Sequence, residues 1–318
     1  MMKLRAFETI DEKRNAYNYE QIDSYNGLLG KIDEMGKLKK THPIYFRGLA
    51  DGSWKIFSFA QREWMTRELD KRYANYIDFV SQFLNFTKNK YVLHLRTSCK
   101  IVTDISTFSS LQHYGAPTPF IDWTSDFNVA LYFASQTNAL CVGNETSSFV
   151  SVYWLEVGNG AATPNNDLYS FSKLIEDHKQ ILNNAVQSAG LPSLQDDKFY
   201  EDATKFSLWK NFPILWISES EKDYLKISNP RRDLQGGAFV YTNNPNKSLD
   251  EIFNGKSMNN VQVQYSGLLL PKIHCIDIHK SLIPKLKKYI SEIHYDATNL
   301  GLNNQNWGET SFQEFLEV

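Results

Sequence analysis

The sequence predicts an α+β fold in a single domain. Three observations point there: helical patterns gather in the first half of the chain, strand patterns gather in the second, and no glycine-rich phosphate loop follows a strand. The first two argue against a regular βαβ repeat, and the third argues against a Rossmann unit. With 318 residues, 42% hydrophobic and 14% aromatic, the chain can bury a sizeable core.

Residues 19–35 read as a modest helix that Gly36 stops. "IYFRG" follows Pro43 and reads as a short strand over 44–47, ended by Gly48. Residues 61–87 read as one long helix, because Leu69, Tyr73, Tyr76, Val80 and Phe83 recur at helical spacing. A second helix spans 104–113 and ends at Gly115. "FID" is a short strand, and Thr124 or Ser125 then caps the apolar helix "DFNVALYFA" by accepting a bond from a first-turn amide.

The segment 149–157 is β-rich and almost wholly apolar, which marks a central strand. A polar loop follows, then a helix over 170–188. Three more strands are expected at 213–217, 237–241 and 267–278, with an exposed loop and a short helical turn over 243–260. Ser281 is expected to cap a last helix that turns Leu282, Leu286, Tyr289 and Ile293 inward and tolerates Pro284 in its first turn.

The net charge is −2, so a generally basic surface for nucleic acid is absent. Cys99, Cys141 and Cys275 are odd in number, far apart and without metal-ligand spacing, which suits reduced thiols in a cytosol. No apolar run approaches the roughly 18 residues of a membrane span, and no signal core opens the chain. The expectation is a cytoplasmic protein, bacterial in style, with no bound metal and no membrane partner.

Three stretches carry most of the chemistry: "YFRG" at 45–48, "LQHYGAPTPFIDWTSDFNVALYFA" at 111–134 and "NPRRDLQGGAF" at 229–239. In this order they resemble the motifs of the FRG domain family. The resemblance makes residues 41–318 the FRG domain, with residues 1–40 as an N-terminal helical segment of the same folding unit. One departure stands out: where the family usually has an arginine after the "PT" of the middle motif, this chain has Pro119. Arg96, Arg231 and Arg232 are the candidates to replace it.

The motif order is similar, more distantly, to that of ADP-ribosyltransferases. Those proteins place an arginine or histidine on a first strand, hydroxyl residues before a helix, and a glutamate on a later strand. That similarity implies a split, mostly antiparallel sheet and an NAD pocket. Its counterparts here are Arg47, Thr124 with Ser125, and Gln235. The activity implied is transfer of ADP-ribose to a protein or nucleic-acid acceptor, or hydrolysis of NAD, as in a bacterial toxin or phage-defence effector. The alternative is a module that senses a nucleotide without catalysis.

The residue types suit such a pocket. The Arg47 guanidinium can hold a pyrophosphate or ribose, or instead pair with Asp122 inside the core. His113 can donate to a ribose hydroxyl and Tyr114 can stack on a base, although a histidine at a helix end also suits the last carbonyls. Asp122 can orient Arg47 or His113. Thr124 and Ser125 stand at a helix N-terminus that favours phosphate. Gln235 is the third-motif counterpart, yet an amide stabilises an oxocarbenium-like charge far less than a carboxylate does. Glu219 and Glu221 could reach the pocket only if their loop folds back. His274 faces away from Cys275 and Asp277 by strand alternation.

Overall fold

The computed structural model describes residues 4–98, 102–137, 145–157, 171–190, 204–218, 235–253, 273–302 and 307–318. Seven strands form one open sheet: β1 (Asn18–Ile22), β2 (Ile44–Leu49), β3 (Phe120–Thr124), β4 (Phe149–Glu156), β5 (Ile214–Ile217), β6 (Gly237–Thr242) and β7 (His274–His279). Their order is β1-β7-β4-β2-β3-β6-β5. Only β1 and β7 run parallel; every other neighbouring pair is antiparallel. The α+β class expected from the sequence is therefore what the chain adopts.

The sheet has a seam. β2 pairs with β4 along its whole length, and β3 does the same with β6, but β2 and β3 share the single pair Phe46↔Thr124. Beyond that pair the two strands diverge, and the halves β1-β7-β4-β2 and β3-β6-β5 hold together through side chains and helices.

Helices α1 (Ile10–Ala16), α2 (Tyr25–Leu38), α3 (Phe59–Thr66), α4 (Tyr76–Lys90), α5 (Val92–Ser98), α6 (Asp104–His113), α7 (Phe127–Ser135) and α8 (Phe171–Ser188) are interspersed with the strands along the chain. Further helices occupy Phe206–Trp209, Leu249–Phe253, Ile283–Glu292 and Trp307–Glu317. One face of the sheet carries two separate cores. Residues of α2, α7 and the Ile283–Glu292 helix bury the β1-β7-β4-β2 half, while α3, α4, α6, α8 and the Trp307–Glu317 helix bury the other. The opposite face has one core that crosses the seam through Ile121, Trp123, Tyr153, Leu155 and Val240.

Several sequence expectations need correction. The 19–35 helix begins later, at Tyr25 after the Ser24 cap, because Asn18–Ile22 pairs with β7 as an edge strand. Residues 1–40 are thus not simply helical. The long helix over 61–87 is broken: α3 ends at Thr66, Glu68 adopts a left-handed φ of 53°, and Asn75 starts α4 by accepting from the Asp78 amide at 2.9 Å. The described part of 243–260 holds the expected helical turn, Leu249–Phe253, but not as an exposed segment, since Leu249, Asp250 and Ile252 are buried. The last helix is preceded by a short 3₁₀ turn capped by His279, whose ring accepts from the Ser281 amide, not by Ser281. Residues 267–272, Cys99 and Cys141 lie outside the described residues. Cys275 is a buried free thiol, and no described helix is long and apolar enough to cross a membrane.

Candidate functional site

A cavity of about 220 Å³ opens where β2 and β3 diverge. Arg47, His113, Asp122, Thr124 and Gln235, read from separate stretches of sequence, all line it, and Gln112 joins them. Val129 and Phe133 of α7 form an apolar wall. α7 comes this close because Gly48 has no side chain: a Cβ there would stand 1.9 Å from the Ala130 carbonyl oxygen.

Arg47 bridges the seam. Its Nη1 donates to the main-chain carbonyl of Asp122 at 2.6 Å and stands 3.9 Å from that residue's carboxylate. The contact restores one cross-strand bond that the diverging strands do not make. It is far from a closed ion pair, and the Arg47 Nε has no partner. Burial pulls the Arg47 guanidinium down from its ordinary value, against the pull of Asp122.

Asp122 lies deep in the body of the protein, yet its side chain is 46% open to the cavity. That depth pushes its carboxyl above the usual carboxylate range, while Arg47 and a bond from Gln112 pull it back. Gln112 Nε2 donates to Asp122 Oδ2 at 2.6 Å, and the Thr118 hydroxyl donates to Gln112 Oε1. The "Q" and the "T" of "LQHYGAPT" therefore fix the amide that fixes the acid. Asp122 Oδ1 has no partner and Arg47 Nε has none, so the site holds a donor and an acceptor unused by the fold.

Thr124 and Ser125 do not cap α7. Asp126 does, accepting from the Asn128 amide at 2.8 Å, and the Tyr295 hydroxyl donates to the same carboxyl group. A carboxylate already occupies that helix end, which disfavours a second anion there. Thr124 Oγ1 instead donates to the Gln235 carbonyl, and the Ser125 amide donates to the Gly236 carbonyl at 2.9 Å. Gly236 has φ +57°, and a Cβ on it would meet Ser125 Oγ at 2.6 Å. The "TS" of the middle motif and the "QG" of the third are thus locked together.

Gln235 reaches the cavity wall while its Nε2 donates to the Leu300 carbonyl at 2.9 Å. His113 packs its ring edge-on to Phe239, with centroids 6.1 Å apart. Tyr114 and Ser125 are not among the cavity's wall residues. The Tyr114 ring packs on Trp307 at 5.2 Å and its carbonyl accepts from the Glu309 amide, so it docks the C-terminal helix. Arg96 is on the surface of α5, away from the cavity wall. Arg231, Arg232, Glu219 and Glu221 lie outside the described residues.

Sequence reading missed Arg62. It sits in the first half of α3, whose start is a capping box between Ser58 and Gln61. The Gln61 amide also ties α3 to the carbonyls of Asn244 and Lys247. Burial and the neighbouring Arg47 hold the Arg62 guanidinium down to about 10. Its only sequence signal was "AQREW", an arginine between buried positions. Among the described residues no group of three or more His, Cys, Asp and Glu is placed to hold a metal ion.

No curated protein and no solved structure is significantly similar to this chain. The FRG domain family model matches residues 42–140, from just before β2 to just past α7. That segment supplies Arg47, Gln112, His113, Asp122 and Thr124 of the cavity wall; Gln235, on the same wall, lies outside it. The chain therefore carries an FRG domain, and the seam cavity is built mainly from it.

Proposed function

We propose that the seam cavity binds NAD or a related nucleotide and that the protein acts on it as an ADP-ribosyltransferase-like or NAD-hydrolysing enzyme. The observation that carries this reading is the convergence of Arg47, His113, Asp122, Thr124 and Gln235 on one cavity in a divided, mostly antiparallel sheet. A guanidinium suits a phosphate or ribose, and His113 can meet a ribose hydroxyl. Asp122 is the one carboxylate on the wall among the described residues, so stabilising the charge that develops as the nicotinamide–ribose bond breaks falls to it. The bond's electron pair leaves with nicotinamide, and water or an acceptor nucleophile adds at the ribose carbon while its proton passes to the carboxylate.

Incubation of the pure protein with NAD labelled in both halves tests this. Release of nicotinamide, or label on protein or nucleic acid, is expected. No release, no transfer and no NAD binding by calorimetry would remove the reading. An NAD-consuming activity would arrest growth, which suits a toxin or phage-defence effector. Expression should then be toxic, and Arg47→Ala should relieve it; equal toxicity of the variant removes that role.

A second reading has its own support. The Gln235 amide is tied to the Leu300 carbonyl, and no glutamate lines the cavity among the described residues. A non-catalytic nucleotide sensor would bind NAD without turnover, and the same incubation separates the two.

A further inference from the structure

We propose that a second cavity, on the other side of Arg47, is an anion subsite that takes the diphosphate of the bound nucleotide on Arg62 and Arg47 and lays its base against Trp54. The proposal rests on the nucleotide reading above and assigns the other half of its ligand. The cavity measures about 230 Å³. Arg47 belongs to the walls of both cavities. Together the two reach the range usual for small-molecule sites, roughly 300–1,000 Å³.

Four cations, Arg5, Arg47, Lys55 and Arg62, face this second space, and among the described residues no carboxylate is on its wall. Glu251 pairs with Arg5 at 3.2 Å and Lys55 at 2.9 Å, with Asp250 also near Lys55, so those two charges are answered. Among the described residues Arg47 has one carboxylate in ion-pair range, Asp122 at 3.9 Å. Arg62 forms no ion pair with a described residue; its guanidinium carbon stands 5.0 Å over the Phe59 ring, and the neighbouring Glu63 is engaged by Arg67. The Nε atoms of Arg47 and Arg62 both lack partners.

Two guanidiniums brought together in a partly desolvated site repel each other, and the Glu63 and Asp122 carboxylates offset this only in part, since burial and Arg47 still hold Arg62 below its ordinary value. A diphosphate would offset the rest, since its oxygens accept from planar forks of donors. Trp54 is 50% exposed at the same wall, an indole face available for stacking.

Calorimetry with ADP, pyrophosphate, adenosine and NAD, on the parent, Arg62→Gln and Trp54→Ala, tests the subsite alongside thermal melts. The parent is expected to bind ADP and pyrophosphate competitively, and adenosine more weakly. Arg62→Gln should weaken ADP and pyrophosphate by about tenfold or more without lowering the melting temperature. Trp54→Ala should weaken ADP and leave pyrophosphate unchanged. A purely structural Arg62 would give the reverse: a lower melting temperature and unchanged affinity. NAD binding that Arg62→Gln leaves untouched overturns the subsite and spares the nucleotide reading; a parent that binds none of the probes overturns both. Should Arg62→Gln not fold, failure of pyrophosphate to compete with ADP on the parent, or equal ADP affinity of Trp54→Ala, overturns the proposal.

Discussion

Arg47 spans the seam of the sheet by donating to the main-chain carbonyl of Asp122 at 2.6 Å, while the two side-chain charges stand 3.9 Å apart. The guanidinium thus holds the strands with one edge and leaves Nε uncommitted. Arg47→Ala should lower stability by about 1–3 kcal/mol through the stranded carbonyl, read by urea unfolding. Arg47→Lys can keep a charge near Asp122 but not the fork. It should recover stability while NAD binding stays weak; full recovery of binding by lysine would show that charge alone suffices.

Asp122 makes stability depend on pH in an unusual direction. Its depth raises the folded-state pKa above that of the unfolded chain. The native state therefore keeps the proton to higher pH than the unfolded state does. Stability from this group is greatest in acid and falls as pH rises from the usual carboxylate range towards the folded pKa. Asp122→Asn cannot titrate. Its melting temperature relative to the parent should increase between pH 4 and pH 7; a flat or opposite difference would mean that Arg47 and Gln112 outweigh burial.

Much of this arrangement was legible in the sequence, and what was not has physical reasons. The helix ending at His113 and the strands around 44–47, 120–122 and 237–241 were readable because caps, glycines and apolar runs mark them locally. β1 was missed because "NYEQI" is a mostly exposed edge strand without alternation, and its parallel partner β7 is more than 250 residues away. The break between α3 and α4 was hidden by an apolar stripe that continues through it. The C-terminal helix went unread, although Phe312 and Phe315 seal the core. Arg47, His113, Asp122 and Gln235 were singled out through the three motifs. Arg62 was passed over because a charge on an amphipathic helix normally faces solvent.

Gly48 sets how near α7 lies to the seam. Its missing Cβ would fall 1.9 Å from the Ala130 oxygen and 2.7 Å from the Ala134 nitrogen, both backbone atoms that cannot rotate away. Gly48→Ala must push α7 off β2 and open the wall at Val129 and Phe133. A loss of about 3 kcal/mol or more is expected in chemical denaturation. A variant within about 0.5 kcal/mol of the parent would show that α7 does not pack this closely.

The N-terminal helix is fastened to the sheet by a buried cation. Lys13 Nζ donates to Asp277 Oδ1 at 2.5 Å, to Ser151 Oγ at 2.8 Å and to the Gly52 carbonyl at 2.9 Å, and both charged side chains are fully buried. Tyr19 donates to the other Asp277 oxygen at 3.1 Å. Lys13→Met leaves a carboxylate without its cation and should destabilise the protein by about 3–5 kcal/mol. The double variant Lys13→Met with Asp277→Leu should recover part of that loss, because it removes both buried charges. No recovery would place the effect in the Ser151 and Gly52 contacts instead.

Gln235 separates the enzyme from the sensor. Its Nε2 donates to the Leu300 carbonyl, so the amide holds the 300 region against the cavity and leaves its oxygen as the free end. Gln235→Ala should cost about 1–2 kcal/mol from the lost bond and the carbonyl left behind. Gln235→Glu sets a carboxylate oxygen where a donor faced a carbonyl. It should be less stable than Gln235→Ala at neutral pH, and acid should narrow the gap as the new carboxyl takes a proton and can donate again. If Asp122 carries the chemistry, Gln235→Ala keeps measurable nicotinamide release and Asp122→Asn abolishes it. If turnover vanishes in Gln235→Ala with NAD affinity intact, the amide itself is catalytic; if the parent binds NAD and never turns it over, the cavity is a sensor.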